Sequence, residues 1–165
     1  MGLFFPSVTT LSYSFTEPHY IHNGVSVYYL VSLNVTDNLI VNVTHGTEDG
    51  TGNFSTFIFN QRPTESFINF DNTLDPKIFY YAIDYSLDFN PFINYTALER
   101  RIHYIQVILL RNGPDLFLIQ SNQNLTRYYL PVIPSFQISV LIPLLAGGLI
   151  ALPVLLRKKV KILKE

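Results

Sequence analysis

The chain has 165 residues and no cysteine, which excludes a disulfide framework, a thiol nucleophile and a Cys-ligated metal. That length suits one domain of about 100–150 residues plus an anchor, not two cores. The net charge of -1 hides an asymmetry, because residues 1–135 carry eleven acids and six bases while 157–165 carry five bases and one acid; a body at -5 repels phosphate and argues against nucleic acid as a partner.

The opening MGLFFPSVTTLSYSF has no basic n-region and only a short apolar run before Pro6, so it does not read as a signal peptide. A first strand is expected over 9–15. His19 and His22 in EPHYIHNG stand three apart, a spacing that puts two side chains together on a turn. A zinc site needs further ligands and a second shell, so the pair reads as satisfied or exposed histidines.

In SVYYLVSLNVTDNLIVNVTHG the period is two. Val27, Tyr29, Val31, Leu33 and Val35 share one face, and Leu39, Val41 and Val43 share one on the next strand. These are the predicted core positions. A three-residue loop over 36–38 then pairs Val35 with Leu39 and Leu33 with Val41, with Asn38 in the left-handed conformation. The same alternation sends Asn34 and Asn42 to the solvent side.

Residues 44–53 (THGTEDGTGN) and 71–77 are turn-rich loops. Glu48 and Asp49 lie in the first, but the alternating acids of a calcium loop are missing. Further strands are expected over 54–60, 66–70, 78–86, 103–110 and 116–120, with RNGP as the turn joining the last two. Asp84 and Asp88 read as surface acids, and Arg100 and Arg101 beside Glu99 as a solvated strand edge. About eight short strands and almost no helical signal before residue 136 predict an all-β, jelly-roll-like antiparallel sandwich of two sheets over 1–127.

Five N-x-[ST] triplets begin at Asn34, Asn42, Asn53, Asn94 and Asn124, none with a middle proline. Thirteen Asn and 23 Ser or Thr give about two by chance, so the excess points to an exported, glycosylated domain. The 13 Phe and 11 Tyr suit sugar or protein recognition where they are exposed, although core packing and interface belts account for most of such a content.

Residues 128–135, YYLPVIPS, form a stiff juxtamembrane linker. From Phe136 to Leu156 there are 21 residues without a charge, which at about 1.5 Å each cross a hydrocarbon core of roughly 30 Å. Pro143 and Pro153 are tolerated there as kinks, and Gly147 with Ala151 makes a small-xxx-small pair for close helix packing. Arg157, Lys158, Lys159, Lys161 and Lys164 follow directly. By the positive-inside rule this basic tail (157–165) is cytoplasmic and the body faces outside; a tail-anchored arrangement would invert that bias.

The stretch YYLVSLNVTDNLIVNVTHGTEDGTGNFSTFIFN resembles the first half of the bacterial and archaeal pre-peptidase C-terminal domains, and RRIHYIQVILLRNGPDLFLIQS resembles their closing hairpin. The similarity covers about residues 25–120 and implies a jelly-roll-like sandwich in an exported, surface-associated protein. It departs at one place: where many members carry acids in a D-x-D-L-Y-L segment, this chain has Asn53-Phe54-Ser55-Thr56-Phe57-Ile58, so the calcium preference of some relatives does not carry over through those residues. The ending also resembles archaeal surface-protein C-termini processed by sortase-like enzymes, with IPSF at 133–136 in place of their Pro-Gly-Phe motif.

No nucleophile–base pair or catalytic motif is legible. The sequence therefore predicts a non-catalytic module on the cell surface, held in the cell membrane by one C-terminal helix and binding an envelope protein or glycan, with no cofactor. The alternative is an accessory subunit of a membrane complex whose span docks on transmembrane partner subunits.

Overall fold

The computed structural model describes residues 12–130, all within the first of the chain's two units, Met1–Leu130. The predicted span at 136–156 with Gly147 and Ala151, the tail with Arg157, Lys158, Lys159, Lys161 and Lys164, residues 131–135 of the linker and the start of the predicted first strand lie outside the described residues. Among the described residues no helix is long and apolar enough to cross a membrane.

Among the described residues nine strands and one helical turn follow in order: β1 (Phe15–Ile21), β2 (Val25–Leu33), β3 (Asn38–His45), β4 (Asn53–Phe59), α1 (Ile78–Tyr81), β5 (Ala82–Ser86), β6 (Phe92–Thr96), β7 (Arg101–Arg111), β8 (Asp115–Ser121) and β9 (Thr126–Tyr128). They form two antiparallel sheets, ordered β1-β8-β3-β6 and β5-β4-β7-β2-β9. The first eight strands thus interlock as two Greek keys, the strand order of a jelly roll. The last strand places Tyr128, the first residue of the predicted linker, on the edge of the second sheet opposite Tyr28.

The inward face matches the period-two pattern. Val27, Tyr29, Val31, Leu33, Leu39, Val41 and Val43 are all buried in one cluster with Phe54, Ile105 and Phe117. Phe54 and Phe117 meet at 5.3 Å and 60°, a geometry that adds about 0.5–1.5 kcal/mol beyond area burial.

The expected hairpin between β2 and β3 does not form. Leu33 pairs with Arg101 of β7, and Val41 with Ser121 of β8 and Ile93 of β6, so the two strands belong to opposite sheets. Their connection is an arch: Asp37 Oδ2 accepts the Asn34 N–H at 2.8 Å, and Thr36 N–H donates to Ala97 O at 2.8 Å. Thr36, not Asn38, takes the left-handed conformation, at φ 71°, and Val35 turns out to solvent. RNGP likewise carries the chain from one sheet to the other, between β7 and β8, so it closes no hairpin. Two strands that face each other across a core need the same inward residues as two strands side by side, so alternation reads the same for both.

Other expectations shift for local reasons. The first strand begins only at Phe15 and runs on through His19, which points inward. Over 66–70 there is no strand, only a bridge from Ile68 to Leu74. Over 78–86 the chain first makes a turn of helix, entered through a turn in which Asp75 Oδ1 accepts the Lys77 N–H at 2.9 Å and Pro76 fixes the backbone for a helical start.

The second sheet carries a further small core on its outer face. β4 is buried on both sides: Phe54 and Ile58 face the sandwich, whereas Phe57 and Phe59 face outward with Ile108. The excursion 60–81 folds over them, inserting Phe67 and Ile78. Gln106 of β7 ties this layer down, its Nε2 donating to Ser66 O at 2.7 Å and to Ser26 Oγ at 2.9 Å.

Candidate functional site

The five sequon asparagines lie apart. Asn34 is exposed in the β2–β3 arch, Asn53 is exposed at the start of β4, and Asn124 is exposed between β8 and β9. Asn42 and Asn94 point outward from neighbouring strands of the first sheet. Asn42 Nδ2 donates to Gln120 Oε1 at 3.2 Å, and Asn94 Oδ1 accepts from Asn38 Nδ2 at 2.6 Å.

The titratable residues singled out in the sequence do not converge. His19 is buried in β1 with Nε2 3.0 Å from Glu17 Oε1, an ion-pair distance without hydrogen-bond alignment. His22 is exposed and packs on Tyr20. Burial pulls His19 below the ordinary imidazole range while Glu17 opposes it, and burial first, then Glu17, lifts the neighbouring Tyr29 hydroxyl far above its usual range. Asp84 accepts only the Tyr85 N–H, at 2.8 Å, and Asp88 receives Ser86 Oγ at 3.2 Å. Arg101 pairs with Glu99 at 3.0 Å. Glu48 and Asp49 are exposed, and no group of three or more His, Cys, Asp or Glu among the described residues is arranged to hold a metal.

One polar pair escaped the sequence reading. Asp115 and His45, seventy residues apart, meet at one end of the sandwich: Asp115 Oδ2 lies 2.8 Å from His45 Nδ1 and accepts the Gly52 N–H at 2.7 Å. Facing a carboxylate, Nδ1 carries the proton. The ring packs against Phe89 at 4.1 Å and Phe54 at 5.2 Å. This arrangement pins the end of the glycine-rich loop 46–52 against β8.

An open cleft of about 430 Å³ lies in the excursion over the second sheet. It is lined by the buried Phe59 and Phe67 at its base, by residues 60–65, and by Tyr80 and Tyr81 of α1. An aromatic series builds that base outward: Phe57 stacks on Phe59 at 6.4 Å, Phe59 on Phe67 at 6.0 Å, and Phe67 meets Tyr81 at 5.7 Å. Tyr80 and Tyr81 stand at 87° to each other, 5.5 Å apart, and are 86% and 52% exposed. Arg62 of the lining is held by residues outside it, its guanidinium 5.5 Å over the Tyr128 ring and 3.4 Å from Tyr129 O. Burial raises the Tyr128 hydroxyl above its usual range, which keeps that ring neutral beside the arginine. A second opening, on the other side of Glu65 and Phe67, is lined by Gly24, Asn69, Phe70, Asn72 and Asp75.

No family model and no curated protein matches the chain. Among solved structures it is similar to the pre-peptidase C-terminal domain of a collagenase from Bacillus anthracis, 12% identical with a TM-score of 0.45 over 65% of this chain and 87% of that one.

Proposed function

We propose that this protein is a non-catalytic β-sandwich module, held at the outer face of the cell membrane by its C-terminal segment, that binds an envelope component through the aromatic cleft. The observation that carries the reading is the cleft itself, which gathers two exposed tyrosines with residues bearing amide, guanidinium and carboxylate groups. Large exposed aromatic rings beside convergent polar groups are costly to leave in water and suit recognition. The cleft sits on an excursion outside the sandwich core, where surface chemistry varies without disturbing the fold.

Three sequence features support the outward placement: the uncharged run 136–156, the five bases behind it and the excess of sequons. Protease treatment of intact cells tests it. The body is expected to be shaved away while the tail is protected; a body that survives intact cells and is degraded only after lysis reverses the topology. Purification in mild detergent separates the module from the accessory-subunit alternative, since stoichiometric co-purifying membrane proteins favour the subunit and a lone chain favours the module.

A further inference from the structure

The chemistry of the cleft specifies its ligand further, on the footing that it is the binding site. We infer that it holds a pyranose unit of an uncharged glycan, with the Tyr80 ring as the stacking platform.

The platform comes first. The face of an aromatic ring is electron-rich, and the C–H face of a pyranose is weakly positive, so a flat exposed ring attracts that face while leaving the equatorial hydroxyls free at the rim. Tyr80 offers such a ring, with Tyr81 in edge-to-face contact beside it at 87°. The segment 60–65 of the lining carries what the rim hydroxyls need. Asn60 and Gln61 each present a planar amide that both donates and accepts, and Glu65 presents two acceptor oxygens. Vicinal hydroxyls, which are at once donors and acceptors, are satisfied by groups of this kind.

Charge then decides against anionic ligands. Arg62 is the one cation in the lining and Glu65 the one acid, so the cleft is balanced. Moreover the guanidinium is already engaged by Tyr128 and the Tyr129 carbonyl, which leaves it poorly placed to clamp a phosphate or carboxylate through two parallel bonds. An extended peptide would seek an open sheet edge with unpaired backbone groups, whereas these walls are an irregular segment and a helical turn. The volume of about 430 Å³ falls at the small end of ligand sites, enough for about one or two sugar rings.

Titration calorimetry on the full chain in a detergent without a sugar headgroup tests the inference. The probes are uncharged hexasaccharides of β-glucan, mannan and chitin, with an alginate hexasaccharide as the acidic comparison. At least one neutral probe is expected to bind with a Kd below about 1 mM, and Tyr80→Ala to weaken it at least about tenfold. Glu65→Gln, which keeps an acceptor, is expected to weaken it only about twofold to fivefold, and Tyr20→Ala, at an exposed ring on the other sheet, to leave it unchanged. Silence from all neutral probes at about 10 mM, tighter binding of alginate, or a Tyr80→Ala protein that binds like the wild type would overturn it. Such a failure with the body still shaved from intact cells would leave the surface-module reading in place. A body protected from protease whose cleft still takes the neutral probe would retire the surface placement alone.

Discussion

Replacing Asp115 by alanine strips the partner from two buried donors at once. Oδ2 accepts the Gly52 N–H at 2.7 Å and faces His45 Nδ1 at 2.8 Å, and the carboxylate is 6% exposed. Each buried donor left unpaired costs about 1–3 kcal/mol, and relief from burying a charge offsets part of the sum, which leaves a loss of about 2–4 kcal/mol. Asp115→Asn keeps one acceptor oxygen and gives up the charge, for a loss of about 1–2 kcal/mol. In urea unfolding followed by tyrosine fluorescence, the alanine variant should therefore shift the midpoint down by about 1–2 M and the asparagine variant by about half that. The double variant with His45→Ala should be less unstable than the sum of the two single variants, since both remove the same contact. A midpoint for Asp115→Ala within about 0.2 M of the wild type would refute the network as a stabilising element, as would an asparagine variant that falls as far as alanine.

Three other outcomes follow from the packing and the titrations. Phe117→Ala, which empties a fully buried position between Phe54 and His19, is expected to cost about 3–5 kcal/mol in the same assay. Gly52→Ala puts a Cβ 2.7 Å from Asp115 Oδ2 and 2.8 Å from Leu109 Cδ1, so a loss of about 1–3 kcal/mol is expected; a neutral result would mean that the loop moves aside freely. Burial holds both His19 and His103 below the ordinary imidazole value of about 6.5. On acidification the unfolded chain takes up these protons first, so the stability present above about pH 6.5 drains away as the pH falls toward the depressed folded values. A urea midpoint that stays flat between about pH 7.5 and 5 would contradict this, and His103→Gln should shallow the slope.

The inward faces of β2 and β3 were legible because one side of each strand is apolar and the other is not, from Val27 through Val43. Their partners were not, since alternation carries no record of which strand lies alongside; Leu33 and Val41 look inward equally well in one sheet or in two. β4 hid its nature differently. Phe54, Phe57, Ile58 and Phe59 leave no polar face, which is the mark of a strand covered on both sides, but the run does not say which segment supplies the far layer. β6 and β9, at five and three residues, are too short for a periodic signal, and the helical turn before β5 is set by Asp75 and Pro76, outside the apolar run itself. The His45–Asp115 pair joins residues that no spacing rule links. The aromatic content was visible as composition, but its division between the core and the cleft depends on residues 60–65 returning beside α1, which is a matter of tertiary path.

The double-sided burial of β4 has an evolutionary consequence. Because Phe57 and Phe59 seal against Phe67 on one side while Phe54 and Ile58 seal the sandwich on the other, the sandwich and its cap meet across β4, with Gln106 and Ile108 of the neighbouring β7 completing the seam. A lineage that retains those outward phenylalanines, with Phe79 and Tyr81 packed on Phe57 and Phe67, can rewrite residues 60–65 at little cost to the sandwich, so the sequence is expected to diversify there faster than in the strands beneath. The same seam offers protein engineers a socket for grafted loops.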